Sequence, residues 1–97
     1  MLRKYEIMLI LPPEADDQVV DGATERIAKV VAERGGEVAK VDRWGKRRLA
    51  HEIGRLTDGY YVIVECEADP TAMKELDRVL TLADEVVRFK VVVREAA

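Results

Sequence analysis

The stretch RWGKRRLAHEIGRLTDGYYVIVEC, residues 43–66, holds two alternating runs separated by turn residues. In the first, Arg47, Leu49, His51 and Ile53 fall on one side of an extended chain, with Arg48 and Glu52 on the other. The second, YYVIVEC, is rich in aromatic and β-branched residues, which suit a pleated, half-buried surface. GRLTDG, residues 54–59, is turn material between them. The stretch therefore predicts a β-hairpin. Its first strand reaches back to residue 37, with Ala39 and Val41 sharing a face and Val38 and Lys40 off it. A glycine inside so long a run, Gly45, predicts a bulge or bend. Lys46, Arg47 and Arg48 follow it directly. Three consecutive cations are a heavy load for a strand that must help enclose a small core. The bend is expected to turn them out of the core layer and to bring Leu49 and Ile53 back into it.

The flanks place this hairpin in a fold. Before it, KYEIMLILP alternates with Tyr5, Ile7, Leu9 and Leu11 on one face and Lys4, Glu6, Met8 and Ile10 on the other, until Pro12-Pro13 ends the strand. Residues 16–34 then repeat Val20, Ala23, Ile27, Val30 and Val31 at helical spacing. Asp16 is the expected N-cap and Gly35-Gly36 the stop. Gly22 inside that helix costs about 1 kcal/mol relative to alanine. After the hairpin, Asp69-Pro70 starts a second helix with the stripe Met73, Leu76 and Leu80. Residues 86–94 form a last strand, with Val87, Phe89, Val91 and Val93 facing one way and Arg88, Lys90, Val92 and Arg94 the other. The order βαββαβ predicts an α+β fold of the ferredoxin-like, split β-α-β kind: a four-stranded antiparallel sheet with two helices on one face. Residues 1–97 are expected to form a single domain. Ile7, Leu9, Phe89 and Val91 are expected under the helices, leaving Met8, Ile10 and Val92 among charges on an open face. Such a cluster suggests a binding surface.

Composition narrows the function. With 48% hydrophobic and 36% charged residues, the 97-residue chain is globular rather than disordered. No apolar run approaches the roughly 20 residues that span a bilayer, and the short apolar stretch near the start leads into Pro12-Pro13, so it reads as a strand and not a signal sequence. Cys66 is the only cysteine, which excludes an internal disulfide and fits a reducing cytoplasm. The net charge of −3 argues against a general nucleic-acid binder. Charge is nevertheless sorted: residues 38–55 and 86–97 are basic, while 14–37 and 56–85 are acidic.

No catalytic constellation emerges. His51 is the only histidine and sits on an apolar side of its strand. No zinc-ligand spacing or phosphate-binding glycine loop is present, and no cofactor is implied. Cys66 alternates with Val62 and Val64 as a small core residue, and Glu65 and Glu67 flank it, the wrong setting for a reactive thiol. This architecture also hosts single-stranded RNA readers whose third strand stacks bases on aromatics. In DGYYVIVEC, however, Val62 and Glu65 stand where stacking rings are needed, so base stacking there is excluded. Cations remain: Arg3 and Lys4 on the first strand, Lys46, Arg47 and Arg48 after the bend, Arg88, Lys90 and Arg94 on the last strand. They suit phosphate neutralisation without base reading, or equally a solvated edge that blocks aggregation.

WGKRRLAHEI resembles a signature of the family of the sixth protein of the bacterial small ribosomal subunit: a glycine, any residue, a base, another polar residue, Leu-Ala-Tyr, any residue, isoleucine. Gly45, Arg47, Arg48, Leu49, Ala50 and Ile53 match it, and His51 stands at the usual tyrosine. RKYEIMLILPP, GYYVIVECEAD and RVLTLADEVVRFKVVV are similar to the family's opening, third strand and final helix and strand. The family commonly carries a longer C-terminal tail than this. The resemblance implies no catalysis, a cytoplasmic place on the ribosome, contact with the central domain of 16S ribosomal RNA, and a basic protein partner, ribosomal protein eighteen of the same subunit. Given those partners, the cations Arg3, Lys4, Lys46, Arg47, Arg48, Arg88, Lys90 and Arg94 are expected to meet RNA and the open-face residues Met8, Ile10 and Val92 the protein partner, with the isolated chain a monomer. The competing reading is a regulatory module that binds a small ligand and dimerises through its sheet.

Overall fold

Alternating strands can bury one face only if something apolar covers it, and in the computed structural model two helices do. The structure describes residues 2–94, so Met1 and residues 95–97 of the expected domain lie outside the described residues. The elements run β1 (Arg3–Leu11), α1 (Asp17–Glu33), β2 (Glu37–Ile53), β3 (Leu56–Ala68), α2 (Pro70–Leu82) and β4 (Arg88–Val93). The sheet order is β2-β3-β1-β4, with every neighbour antiparallel. This is the ferredoxin-like arrangement the sequence predicts.

The core lies between sheet and helices. Tyr5, Ile7, Leu9 and Leu11 of β1 and Val62, Val64, Cys66 and Ala68 of β3 meet Val20, Ala23, Ile27, Val30 and Val31 of α1 and Ala72, Leu76 and Leu80 of α2. Phe89 and Val91 of β4 pack against this cluster half-buried. Fully burying one such Ile or Leu side chain stabilises the fold by about 1.5–3 kcal/mol, so these stripes set which way the sheet faces.

Both helices begin as their caps dictate. An Asp16 carboxylate oxygen accepts from the Val19 N–H at 3.0 Å, and Asp69 accepts from the Thr71 N–H at 2.8 Å with Pro70 in the first turn. α1 ends in a paired turn in which the Gly36 N–H donates to the Val31 carbonyl and the Gly35 N–H to that of Ala32. Arg43 of β2 ties the sheet to α1 through Asp17 and Asp21, at 2.7 and 2.8 Å.

The hairpin departs from its expected outline in three places. β3 starts at Leu56, so only Gly54 and Arg55 connect the strands, and the expected turn residues 56–59 are strand, with Leu56, Asp58 and Gly59 paired to β2. A bulge at Ala39 puts Val38 and Val41 opposite Cys66 and Val64, on the helix side, and so reverses the expected pairing of Ala39 with Val41. Beyond Arg48 four residues of β2 stand opposite Thr57 alone, before Ile53 pairs with Leu56. That wide bulge swings Leu49 onto the open face. A Cβ on Gly59 would lie 3.2 Å from Leu49 Cδ2 and 2.6 Å from Ile10 Cγ2, and Leu49 is outside the main core cluster. Leu49 is thus buried, but not in the core layer to which the sequence reading returns it.

The bend at Gly45 is present. Gly45 has φ +82°, and the register shifts there, with Arg43 opposite Val62 and Gly45 opposite Tyr61. A glycine in this left-handed region is the usual device for an extra strand residue, since a side chain there is strained.

A cationic and apolar sheet face

Register arranges the uncovered face in rows. Arg88 lies beside Ile10, then Tyr61, then Gly45; Lys90 lies beside Met8, then Ile63, then Asp42; Val92 lies beside Glu6, then Glu65, then Lys40. A fourth row holds Lys4, Glu67 and Glu37, and the Arg94 N–H donates to the Lys4 carbonyl. The first two rows are apolar at the centre and cationic at the β4 edge. The last two are rich in carboxylates.

This layout separates the candidate cations. Arg88 and Lys90 are exposed and make no ion pair among the described residues. Arg94 instead donates to Glu6 Oε2 at 2.7 Å and to Glu65 Oε1 at 3.3 Å. The bond to Glu6, then the charge of Glu6 and of Glu65, raise the Arg94 pKa further. A phosphate would have to compete with both carboxylates for it. Lys4 faces Glu67 in the same row. Arg3 lies opposite Ala68 with the parity of Tyr5 and Ile7, away from Arg88 and Lys90. Lys46, Arg47 and Arg48 sit apart, on the arm of the hairpin that runs past the end of β1, because Leu11 pairs with Tyr60, which faces Lys46.

The expected partner residues share the face as assigned: Met8 and Ile10 are half-buried and Val92 is 43% exposed. Sequence reading overlooked their neighbours Tyr61 and Ile63. Ile63 is buried although it points away from the helices, and it joins Met8 and Ile10 in one apolar strip. The signal for them is the alternation of β3 itself, Val62, Val64 and Cys66 against Tyr61 and Ile63. Ile10, Leu49, His51, Ile53, Tyr61 and Arg88 surround a shallow depression, with His51 exposed at its rim. Cys66 is buried, and burial pushes its thiol up to about 11, which keeps it protonated and inert.

Comparison with known proteins decides the lineage. The family model described as Ribosomal protein S6 matches residues 4–93. The chain belongs to the ribosomal protein S6 family. It is 48% identical over 95 residues to the small ribosomal subunit protein bS6 of Carboxydothermus hydrogenoformans, covering 98% of each chain. The crystal structure of ribosomal protein S6 from Thermotoga maritima superposes with a TM-score of 0.84 at 29% identity, over 97% of this chain and 89% of that one. The C-terminal domain of MgtC from Mycobacterium tuberculosis also superposes, with a TM-score of 0.67 at 13% identity over 99% of this chain and 92% of that one, which shows a common fold and no more. Family membership makes this a structural protein of the small ribosomal subunit, not an enzyme, and places it with the ribosome in the cytoplasm. Among the described residues, no helix is long and apolar enough to cross a membrane.

Proposed function

We propose that the chain binds the central domain of 16S ribosomal RNA together with ribosomal protein eighteen, using the uncovered sheet face. The observation that carries this is the first two rows. Arg88 and Lys90, which make no ion pair among the described residues, edge an apolar strip of Met8, Ile10, Tyr61 and Ile63 that no helix covers. The cations neutralise phosphates, while the strip, with Val92, meets the protein partner. The carboxylate rows beside it, Glu6, Glu65, Glu67 and Glu37, complement a basic protein and would repel RNA. Arg88 and Lys90 are the leading phosphate contacts; Lys46, Arg47 and Arg48 on the hairpin arm come next. Arg3, on the other face of β1, and Lys4, beside Glu67, lie off this cationic edge and rank below them, and Arg94 is the weakest member because Glu6 and Glu65 hold it. Alone, the protein is a monomer.

The test is a salt titration of binding to a central-domain transcript in the presence of the partner. Each neutralised phosphate contributes about 0.9 to the slope of log affinity against log salt on duplex and somewhat less on single strands. Arg88→Ala is expected to lower the slope by roughly one, with the fold intact. An unchanged slope would make Arg88 a solvated strand residue only.

A further inference from the structure

The only tryptophan in the chain, Trp44, is the residue that the Gly45 bulge leaves between register pairs, and it is 51% exposed. Nothing in the core needs it. Arg47 folds back over it: its guanidinium carbon stands 5.9 Å from the ring centroid, and its Nε–H donates to the Trp44 carbonyl at 3.4 Å. That separation is within the range of a cation–π contact. An indole propped by a guanidinium on one face and open to solvent is a stacking surface, and the same strand carries two more exposed cations, Lys46 and Arg48, which stand opposite Tyr60 and Asp58 on the side away from Arg47.

We propose that Trp44 stacks on an unpaired RNA base, with Arg47 as the positioning residue and Lys46 and Arg48 drawing in the adjacent phosphates. This rests on the RNA-binding reading above and adds a base contact to a surface otherwise made of phosphate contacts. Any base offers a π-face, so the contact tolerates sequence and favours a looped-out or single-stranded nucleotide over a paired one. The neighbouring cations make RNA the occupant rather than a protein partner. A guanidinium on a half-exposed ring, with the exposed cations Lys46 and Arg48 on the same strand, complements a phosphodiester chain with its base, whereas Glu37, Glu65 and Glu67, which would welcome a basic protein, lie in other rows of the sheet.

Because Trp44 is the sole tryptophan, its fluorescence reports the contact directly. Wild-type protein with ribosomal protein eighteen is titrated with the central-domain transcript, alongside Trp44→Leu and Trp44→Phe. Thermal unfolding of each variant confirms that the exposed position is not needed for folding. Stacking is expected to quench the emission on addition of RNA, but not of the partner alone. Trp44→Leu should weaken binding roughly tenfold or more with the salt slope unchanged, and Trp44→Phe should recover part of the loss. Equal affinity of Trp44→Leu and wild type, with Arg88→Ala still lowering the slope, overturns the base contact and leaves the wider reading standing. A change in emission produced by the partner alone overturns it in favour of a protein contact. Failure of the wild-type complex to bind the transcript at all overturns both.

Discussion

A single methyl group added at Gly36 would stand 2.3 Å from the Glu67 carbonyl oxygen and 2.8 Å from Val31 Cγ1. The turn that ends α1 passes so close to β3 that only hydrogen fits, and the obstacle is backbone, which cannot rotate away. Gly36→Ala is therefore expected to lower stability by about 3 kcal/mol, at the upper end for overpacking. Gly22 is the opposite case. It is exposed within α1, and a Cβ there meets nothing within 4 Å. Gly22→Ala should raise stability by roughly 0.5–1 kcal/mol through helix propensity. Urea denaturation midpoints moving in opposite directions would verify the pair. At the start of α2, hydrogen bonds from the Thr71 backbone N–H and then its hydroxyl hold Asp69 down to about 2, from an ordinary 3.8. A depressed carboxylate stabilises the fold fully above its unfolded pKa and ceases to do so as pH falls through the folded one. The denaturation midpoint of the wild type should thus fall between the ordinary value and about 2, and Asp69→Asn, which cannot titrate, should show a shallower decline in that window.

The long hairpin and the sheet face beside it act together. The wide bulge after Arg48 folds Leu49 onto Gly59 and Ile10, so the hairpin end partly roofs the apolar strip instead of joining the core. Ile10 has no core partner under the helices, and it lies between Arg88 and Tyr61 in its row. Replacing it with aspartate should leave the monomer folded and sharply weaken binding of ribosomal protein eighteen, read by circular dichroism and by titration with the purified partner. An unfolded Ile10→Asp monomer would instead assign Ile10 to the core and reverse the two faces of β1.

Taken whole, the molecule carries a net charge of −3, yet the cations Arg88 and Lys90 at the β4 edge lie in different rows of the open face from Glu6, Glu65, Glu67 and Glu37. Long-range repulsion from the net charge opposes RNA, while a local cationic edge favours it. The isolated protein is expected to bind the central-domain transcript weakly, and the basic partner to tighten binding sharply by covering the carboxylate rows. Affinity measured at one fixed salt concentration, with and without the partner, decides this. Tight binding of arbitrary RNA by the protein alone would refute it.

Alternation and helical spacing by themselves determined the six elements, their order, the two caps and the faces of β1, β3 and β4. These follow from side chains a few residues apart: Ile7 and Leu9 must share a face wherever the strand lies, and Asp69-Pro70 opens a helix in almost any context. The Gly45 bend was legible for the same reason. Tertiary structure decided the rest, because it depends on residues far apart in the chain. Whether Arg94 is available or held depends on Glu6, 88 residues away, and on Glu65. The side on which Leu49 is buried depends on how many residues β2 spends opposite Thr57. The bulges at Ala39 and Trp44 each insert one residue and the wide one after Arg48 inserts three, so each inverts the parity beyond it, and register across two strands is set by cross-strand packing that no single strand contains. Trp44 shows both sides of this. Its identity was always in the sequence, but its exposure under the Arg47 guanidinium exists only once the strand has bent.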